Sequence, residues 1–435
     1  MVRKSVFLLV VFLLLPATAG QSQNLPWPER NGPTGDGHAA PEEARGVPLE
    51  WDEATGRNIA WRLPLIGEGH STPVIGNGQV WFTAATRDGT QQFVYAVDAE
   101  SGRVRHRKLL FENKDPEPLG NIVNTYASPT CVLEPDAVYV HFGTYGTARL
   151  DPETAETVWA RRDIHCSHYR GPGSSPVLLD DLLILTFDGV DYQFLKALDT
   201  RTGQTVWRTD RTTDFRDLEP DGTPRADGDY RKAYSTPGLI QVGQAWQVVS
   251  VGARAAFGYD ARTGEEIWTI EHPDYNGAIR PLFLPPLAIL NTGSRGASLL
   301  GLRLDETTRG DVTDSHIVWE RTRGNGSLPT PVLVEDRLYQ VTDQGVLHCL
   351  DARTGEERFS ARLPGNYTAS PIVAHGLIYF VNERGQTTVI RATDHFQVVA
   401  RSQIADGVRA SPSIAGGALY LRSFQYLYKI AQTTP

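Results

Sequence analysis

Cysteine is scarce in this sequence: its 435 residues include three, Cys131, Cys166 and Cys349. The number is odd and the positions are far apart, which excludes the disulfide framework of small secreted domains. The alternatives are one disulfide closed in an oxidising compartment or three buried thiols, and we expect the thiols. The fold must therefore rest on a hydrophobic core, for which a hydrophobic content of 40% is ample.

Positive charge and long apolar runs are also in short supply. The 42 Lys and Arg residues against 51 Asp and Glu give a formal net charge of −9, which argues against nucleic acid or an anionic membrane surface as a partner. The apolar run at residues 6–15 follows Arg3 and Lys4 and precedes the small residues 17–19. It is too short for a resident membrane helix and is typical of a signal peptide, here residues 1–19. No cysteine follows the run, so we expect no lipid anchor. We predict an exported protein, periplasmic or extracellular, without an integral membrane segment.

Turn-forming residues, in contrast, are plentiful, with 41 Gly and 28 Pro, and a triplet of two small or polar residues and a proline recurs along the chain. The copies lie at residues 71–73, 127–129, 174–176, 235–237, 329–331, 369–371 and 410–412, with a weaker copy at 279–281. Successive prolines are 40 to 61 residues apart, which brackets the length of a four-stranded propeller blade. The eight copies predict eight blades.

Each copy continues with alternating strands, and several then show Leu-Asp or a variant, a Thr-Gly turn and an aromatic residue four positions after the Gly. The aromatic residues are Trp207, Trp268 and Phe359. A Gly at this place lets a tight turn adopt a positive φ, and we expect the aromatic side chain to pack between neighbouring blades. The first copy has His106 at the aromatic position, and the second has Ala155 in place of the Gly.

The two ends of the repeat region are complementary, since one end has an extra strand and the other lacks one. Residues 58–64, around Trp61, resemble an outermost strand with no blade before it, whereas the last copy, residues 411–430, has three strands and no fourth. Pairing the first strand with the last blade closes the ring and removes two open sheet edges. We therefore predict an all-β, eight-bladed propeller over residues 50–430, preceded by an N-terminal extension at residues 20–49.

The repeated Ala-Leu-Asp-x-x-Thr-Gly-x-x-x-Trp pattern resembles the pyrroloquinoline-quinone (PQQ)-like propeller repeat. The resemblance covers essentially all of residues 50–430. It implies kinship with propellers of the outer membrane protein assembly factor BamB-like group, and with it a scaffold role in cell-envelope protein assembly. Because propellers carry many functions, the repeat predicts the fold more sharply than the function.

Quinoprotein dehydrogenases also carry this repeat, so the resemblance raises one enzyme class. Such enzymes hold PQQ between an indole and a disulfide of adjacent cysteines and coordinate calcium with Glu, Asn and Asp. This sequence has no adjacent cysteine pair and no room for the large insertions of that class, so we expect no PQQ and no other cofactor.

Two other chemistries are weakly represented. His165, Cys166 and His168 are metal-ligand types, but they lack the helical spacing of a zinc hydrolase, and we predict no metal site. Residues 171–176 do not match the Gly-x-Ser-x-Gly pattern of a nucleophilic hydrolase, so no catalytic residue is assigned.

The connections from the outer strand of one blade to the inner strand of the next are expected on one face, around the mouth of the central channel. Three consecutive connections, residues 109–126, 163–173 and 210–234, span 18, 11 and 25 positions. The later ones at 322–329, 363–369 and 404–410 span 8, 7 and 7. Long loops in a compact fold are usually functional or mobile. We call the three long connections, over blades 1 to 4, the raised sector.

Polar and aromatic residues of the raised sector and of the remaining mouth form a candidate ligand site. They are His70, Tyr126, His165, His168, Tyr169, Arg170, Asp229, Tyr230, Lys232, Arg280 and Arg409. Converging cations and aromatic planes suit a carboxylate, a saccharide or an extended peptide. The alternative is that these side chains bond exposed backbone around a water-filled channel.

The sequence therefore predicts an exported, non-catalytic propeller that binds a protein partner or a small ligand, such as a peptide or saccharide, at the channel mouth. The alternative is a periplasmic enzyme, a quinoprotein-type oxidoreductase or a hydrolase, that uses the long loops over blades 1 to 4.

Overall fold

The computed structural model describes residues 25–120, 123–294 and 296–433. Over these residues the chain folds into eight sheets, each built on antiparallel strands and arranged as the blades of a propeller, so the predicted fold class is confirmed. The predicted signal peptide, residues 1–19, lies outside the described residues. Within the described ranges, no helix has both the length and the apolar character needed to cross a bilayer.

The first half of the ring contains one short helix, one closing strand and four blades. They are α1 (Pro41–Ala44); β1 (Ile59–Pro64); in blade 1, β2 (Val74–Gly76), β3 (Gln79–Ala85), β4 (Gln91–Asp98) and β5 (Val104–Glu112); in blade 2, β6 (Val132–Glu134), β7 (Ala137–His141), β8 (Thr147–Leu150) and β9 (Thr157–Arg161); in blade 3, β10 (Val177–Leu179), β11 (Leu182–Asp188), β12 (Gln193–Asp199) and β13 (Thr205–Asp210); and in blade 4, β14 (Gly238–Val242), β15 (Ala245–Val251), β16 (Ala255–Asp260) and β17 (Glu266–Glu271). A short 3-10 turn lies at Gly143–Tyr145. The segment Arg225–Arg231 has helical turns on either side of a kink, where Ala226, Asp227 and Gly228 have positive φ.

The second half repeats this order with one insertion. Its elements are, in blade 5, β18 (Leu282–Leu284), β19 (Leu287–Asn291), β20 (Leu299–Arg303) and β22 (Ile317–Arg321), with β21 (Gly310–Asp311) and α2 (Thr313–His316) inserted before β22; in blade 6, β23 (Val332–Val334), β24 (Arg337–Val341), β25 (Val346–Asp351) and β26 (Glu357–Arg362); in blade 7, β27 (Ile372–Ala374), β28 (Leu377–Val381), β29 (Gln386–Arg391) and β30 (Val398–Gln403); and in blade 8, β31 (Ser413–Ala415), β32 (Ala418–Arg422) and β33 (Tyr426–Ile430). The inserted β21 pairs in parallel with β17 and extends blade 4 to five strands.

Burial follows the position of a strand within its blade. The second strands β3, β7 and β11 are buried at every residue, because blades pack against both of their faces. The outer strand β9 is exposed or half-buried throughout. This gradient places the hydrophobic core between the blades and the polar residues at the rim.

The ring closes where the sequence predicts. Strand β1 pairs antiparallel with β33, in a register that sets Trp61 opposite Lys429 and Leu63 opposite Leu427. The eighth sheet therefore has the order β1-β33-β32-β31 and draws its strands from both ends of the chain.

The tryptophan seams confirm the predicted packing between blades. The indole Nε1 atoms of Trp61, Trp159, Trp207 and Trp319 donate to backbone carbonyls of the following blade, at Ala99, Thr200, Ala261 and Ala352. In blade 1, the Nε2 atom of His106 makes the equivalent contact, 2.8 Å from the carbonyl oxygen of Glu153. The turn of blade 2 keeps its positive φ of 56° although Ala155 replaces the Gly.

The recurring hydroxyl before the proline has a structural task. Backbone N–H groups of Thr72, Thr130, Ser175, Arg280, Thr330 and Ser370 donate to the hydroxyls of Thr130, Ser175, Thr236, Thr330, Ser370 and Ser411 in the following blades. These bonds link the starts of adjacent inner strands around the channel. In blade 2 the linking hydroxyl belongs to Thr130, so the triplet at 127–129 lies two residues before the true repeat position.

The cysteines are free and buried, as expected. Burial raises the pKa of the Cys131 thiol to about 12 and that of Cys349 to about 11. Thiols with such pKa values are protonated at neutral pH and are poor nucleophiles.

The N-terminal segment, residues 27–38, lies across the central channel. Near its start Trp27 pairs with Ile75 of blade 1 in both backbone directions. Near its end the Nε2 atom of His38 lies 2.6 Å from the carbonyl oxygen of Leu333 in blade 6, and the next residue donates its N–H to Val373 of blade 7. A segment bonded to blades on both sides of the ring must pass over its axis, so it closes the channel below the mouth. We call residues 27–38 the crossing segment.

Candidate functional site at the channel mouth

The mouth of the channel holds a cavity of about 540 Å³. It is lined by residues of most blades together with Arg30 of the crossing segment. Its charged lining residues are Arg30, Arg170, Arg409, Asp229, Asp274 and Asp343, and two tyrosines, Tyr234 and Tyr275, add aromatic surface. The volume lies within the usual range of small-molecule sites.

One wall of the cavity forms where two loops of the raised sector meet. The hydroxyl of Tyr169 and the ammonium of Lys232 both donate to Asp229, and Arg170 lies 3.4 Å from the same carboxylate. The Lys232 ammonium also lies 4.0 Å from the centre of the Tyr169 ring. Residues about sixty positions apart are thus brought into one cluster, as the sequence predicts for these loops.

The electrostatics of this cluster keep Asp229 ionised. Burial acts to raise its pKa, but the hydrogen bonds from Lys232 and Tyr169 outweigh burial and lower it. Burial lowers the pKa of Lys232, whose side chain is fully enclosed. Of the four residues, Arg170 and Asp229 line the cavity. Tyr169 and Lys232 do not line it, and they hold Asp229 in place through hydrogen bonds.

The base of the cavity carries a second cluster, in which Arg280 is committed to the crossing segment. Its Nη1 atom donates to the carbonyl oxygen of Arg30 at 2.7 Å and lies 3.0 Å from the Glu29 carboxylate. Burial, and to a smaller extent the charge of Arg280, lower the pKa of Arg30 to about 10. Arg30 therefore remains a cation at neutral pH, and its side chain lines the cavity.

The opposite wall contains His70 and Arg409. Burial, followed by the charges of Arg409 and Arg422, lowers the pKa of His70 to about 3, so this imidazole is neutral at pH 7. The Nε atom of Arg409 lies 3.5 Å from the carboxylate of Glu383, which anchors the guanidinium at the cavity edge. Both side chains line the cavity, as the sequence predicts for the mouth.

The remaining predicted site residues contact other side chains or the backbone of the fold. Tyr126 is buried and donates its hydroxyl to the carbonyl oxygen of Glu117, and His168 packs its ring against Tyr234 at 4.8 Å. Tyr230 meets Tyr275 edge-on at 5.0 Å. His165 is exposed, with Nδ1 3.2 Å from the Thr144 hydroxyl.

Several lining residues are not among those predicted from the sequence. Arg30 belongs to the N-terminal extension, and nothing in its local sequence predicts that the segment crosses the channel. Asp274, Tyr275 and Asn276 lie in the short connection between β17 and β18. Asp343 lies in the turn between β24 and β25. Successive strands of a blade run in opposite directions, so the turn between the second and third strands lies on the mouth face. The repeat therefore allows the position of Asp343 to be predicted.

Comparisons with known proteins agree with this architecture. The sequence pattern of the family described as "Outer membrane protein assembly factor BamB" matches residues 29–163, 192–293 and 303–423. The structure of BamB from Moraxella catarrhalis aligns with a TM-score of 0.56 at 13% identity, over 85% of this chain and 99% of that one. The predicted resemblance to PQQ-like, BamB-like propellers is thereby confirmed.

Dehydrogenases share the fold as well. Quinohemoprotein alcohol dehydrogenase from Comamonas testosteroni aligns with a TM-score of 0.66 at 13% identity, over 96% of this chain and 82% of that one. A europium-containing methanol dehydrogenase aligns with a TM-score of 0.59 at 11% identity, over 87% of each chain. No curated protein sequence matches this chain. At these identities the structural likeness concerns the fold alone.

The residues at the mouth do not match the PQQ platform that the resemblance describes. Cys131 lies at the start of blade 2, Cys166 lies in the loop before blade 3 and Cys349 lies in blade 6, so no two are adjacent. Of the described residues that line the mouth cavity, none is a cysteine or a tryptophan. Over the same part of the chain, no group of three or more His, Cys, Asp and Glu side chains is placed to hold a metal ion.

Proposed function

Because the chain belongs to the family of the outer membrane protein assembly factor BamB, we propose that it is an exported binding protein rather than an enzyme, and that the mouth cavity holds its ligand. The shape of the cavity supports this proposal. The crossing segment closes the channel below it, and Arg30, Arg170 and Asp229 line the space above that segment. A concave site with a few fixed polar groups is the usual form of a ligand site.

The lining favours recognition over chemistry. Arg170 and Asp229 are paired with each other, and the Asp343 carboxylate accepts the backbone N–H groups of Ser327 and Leu328 at 2.8 and 3.2 Å. Groups held in this way offer fixed donors and acceptors to a ligand. The free thiols with raised pKa values lie elsewhere in the fold.

The family membership supports a place in the cell envelope. The structurally similar protein from Moraxella catarrhalis is BamB, whose family is described by outer membrane protein assembly. We propose that this chain likewise acts in the periplasm as a scaffold, with a protein or peptide partner contacting the face that carries the raised sector. We also propose that it uses no PQQ, since its cysteines do not provide the sulfur platform.

Native mass spectrometry of the protein purified from its own host tests the proposal. We expect a non-covalent adduct on the parent protein and its loss from Ala278→Trp, because Ala278 lines the cavity and an indole would fill it. Ala54→Trp, at an exposed turn outside the ring, is the matched control and should keep the adduct. An adduct that persists in Ala278→Trp would place the ligand elsewhere, and a parent protein without adduct would contradict the binding function.

A further inference from the structure

Among the described residues, the cation at the base of the mouth cavity has no ion-pair partner. Across the described ranges, no carboxylate lies within ion-pair distance of the Arg30 guanidinium, and its Nε atom is buried without a hydrogen-bond partner. The nearest carboxylate along the chain, Glu29, is engaged by Arg280 at 3.0 Å. Leaving a buried charged donor unsatisfied is costly, so such a group marks a place where an anion would be stabilised.

An acceptor in the same cavity is also unsatisfied. Asn276 lines the cavity, and its Oδ1 atom is buried without a hydrogen-bond partner. Its backbone is fixed by a bond from its N–H to the carbonyl oxygen of Lys232, at 2.9 Å. The carboxylates of Asp274 and Asp343 add further acceptors. The lining of the cavity therefore combines a cationic donor with neutral and anionic acceptors.

The cationic donor and the acceptors together favour a ligand with one anionic group and several hydroxyl donors. A polyanion would meet the carboxylates of Asp229, Asp274 and Asp343, which disfavours a nucleotide or a tricarboxylate. A neutral sugar would leave Arg30 unpaired. The tyrosines Tyr234 and Tyr275 supply the aromatic surface that sugar rings commonly contact.

We propose that the mouth cavity binds a sugar acid, with the carboxylate on Arg30 and the hydroxyl groups on Asn276, Asp274 and Asp343. This assignment rests on the proposed binding function, and it names the ligand class of the same cavity. Arg30 then acts as a specificity-determining residue supplied by the crossing segment. Arginine suits this role because its guanidinium pairs with a carboxylate through two parallel hydrogen bonds.

Isothermal titration with D-glucuronate, D-glucose and D-glucose 6-phosphate tests the ligand class. The parent protein should bind D-glucuronate about tenfold or more tightly than D-glucose, since a charge-assisted pair is added. D-Glucose 6-phosphate should bind more weakly than D-glucuronate, because the three carboxylates of the cavity repel the more highly charged phosphate group more strongly. Tighter binding of the phosphate would overturn the assignment of a carboxylate, and equal binding of glucuronate and glucose would overturn the role of Arg30.

Variants of Arg30 separate recognition from folding. In Arg30→Gln the preference for glucuronate over glucose should fall to about one, whereas Arg30→Lys should keep part of it, because the charge remains. Arg216→Gln, at a largely exposed arginine of the raised sector, is the control and should keep the full preference. A folded Arg30→Gln protein that retains the preference would overturn the inference. A merely structural role would weaken both sugars alike and would also overturn it.

The two proposals fail differently. If glucuronate does not bind, yet the native adduct disappears in Ala278→Trp, the cavity is a ligand site and only the sugar-acid class is wrong. If the native adduct persists in Ala278→Trp, the proposed function fails whatever the titrations show.

Discussion

At the scale of single residues, the site divides into side chains that reach the cavity and side chains that hold them. Arg170 lines the cavity and is one-third exposed, whereas the Lys232 side chain is fully buried. Both contact Asp229, as the positions of their loops predict, but the sequence pattern does not distinguish their roles. The structure assigns them different tasks.

This division gives a prediction about two alanine variants. Lys232→Ala should lower the free energy of unfolding by about 2–4 kcal/mol, because it leaves the carboxylate of Asp229 without its buried cation. Arg170→Ala should cost less than about 1 kcal/mol of stability, since the guanidinium is partly solvated. Urea unfolding of both variants measures these effects.

Ligand affinity supplies the complementary measurement. Arg170→Ala should weaken binding of the native ligand by about 2–5 kcal/mol if the guanidinium contacts an anionic or polar group of that ligand. If both variants bind as tightly as the parent protein, the raised sector is a solvated rim that contributes nothing to ligand binding.

A buried histidine gives a pH prediction. Burial lowers the pKa of His141 to about 3, far below its value of about 6.5 in an unfolded chain. The unfolded state therefore takes up a proton below pH 6.5 and the folded state does not. The contribution to stability is complete above pH 6.5 and declines by up to about 1.4 kcal/mol per pH unit as the pH falls toward 3.

The variant His141→Gln removes this titration. Between pH 7.5 and pH 5.0, the parent protein should lose about 2 kcal/mol more unfolding free energy than the variant, because about 1.5 pH units of that range lie below the unfolded pKa. Urea unfolding at the two pH values measures the difference. Equal losses in the two proteins would show that His141 does not remain neutral in the fold.

At the scale of elements, β1 closes the ring and the crossing segment closes the channel. The two belong to the same N-terminal stretch but act separately: β1 pairs with β33, and residues 27–38 contact the inner strands. Removal of β1 exposes the edge of β33, which favours aggregation.

Two truncations separate these contributions. Deletion of residues 20–64 removes both elements, and deletion of residues 20–49 spares β1. We expect the longer deletion to melt about 10 °C or more below the shorter one, since it breaks the seam between blades 8 and 1. Calorimetry at matched concentrations measures the gap. Equal melting temperatures would mean that β1 contributes nothing to closure.

At the scale of the whole molecule, the sequence predicted the ring because most blades repeat the same local chemistry. The hydroxyls, the Thr-Gly turns and seam aromatics such as Trp207 and Trp319 recur at regular spacing, so each copy supports the interpretation of the others. The predicted copy at 127–129 lies two residues before the true position, because Pro129 matches the pattern while Thr130 carries the linking hydroxyl.

The cavity was predictable only in part. Residues beside the repeat, such as His70, Arg170 and Arg409, could be placed at the mouth by counting strands. Arg30 could not, because its position depends on contacts between the crossing segment and distant inner strands. The direction of a side chain could not be predicted either: Arg280 occupies the repeat position of blade 5, yet its side chain contacts Glu29 and the crossing segment.

The absence of adjacent cysteines gives a prediction for the intact protein. Addition of PQQ with calcium should give neither bound quinone absorbance nor dye-linked alcohol oxidation, since the sulfur platform is missing. Absorbance spectra after dialysis measure this, with a PQQ-dependent dehydrogenase as positive control. Stoichiometric quinone retention would return the chain to the enzyme class.

An experimental structure of the protein purified with its native ligand would show whether the mouth cavity is the ligand site. We expect ligand density above the crossing segment, in contact with Arg30 and Arg170. Density confined to the outer surface of the blades, with the mouth cavity filled by water alone, would contradict it.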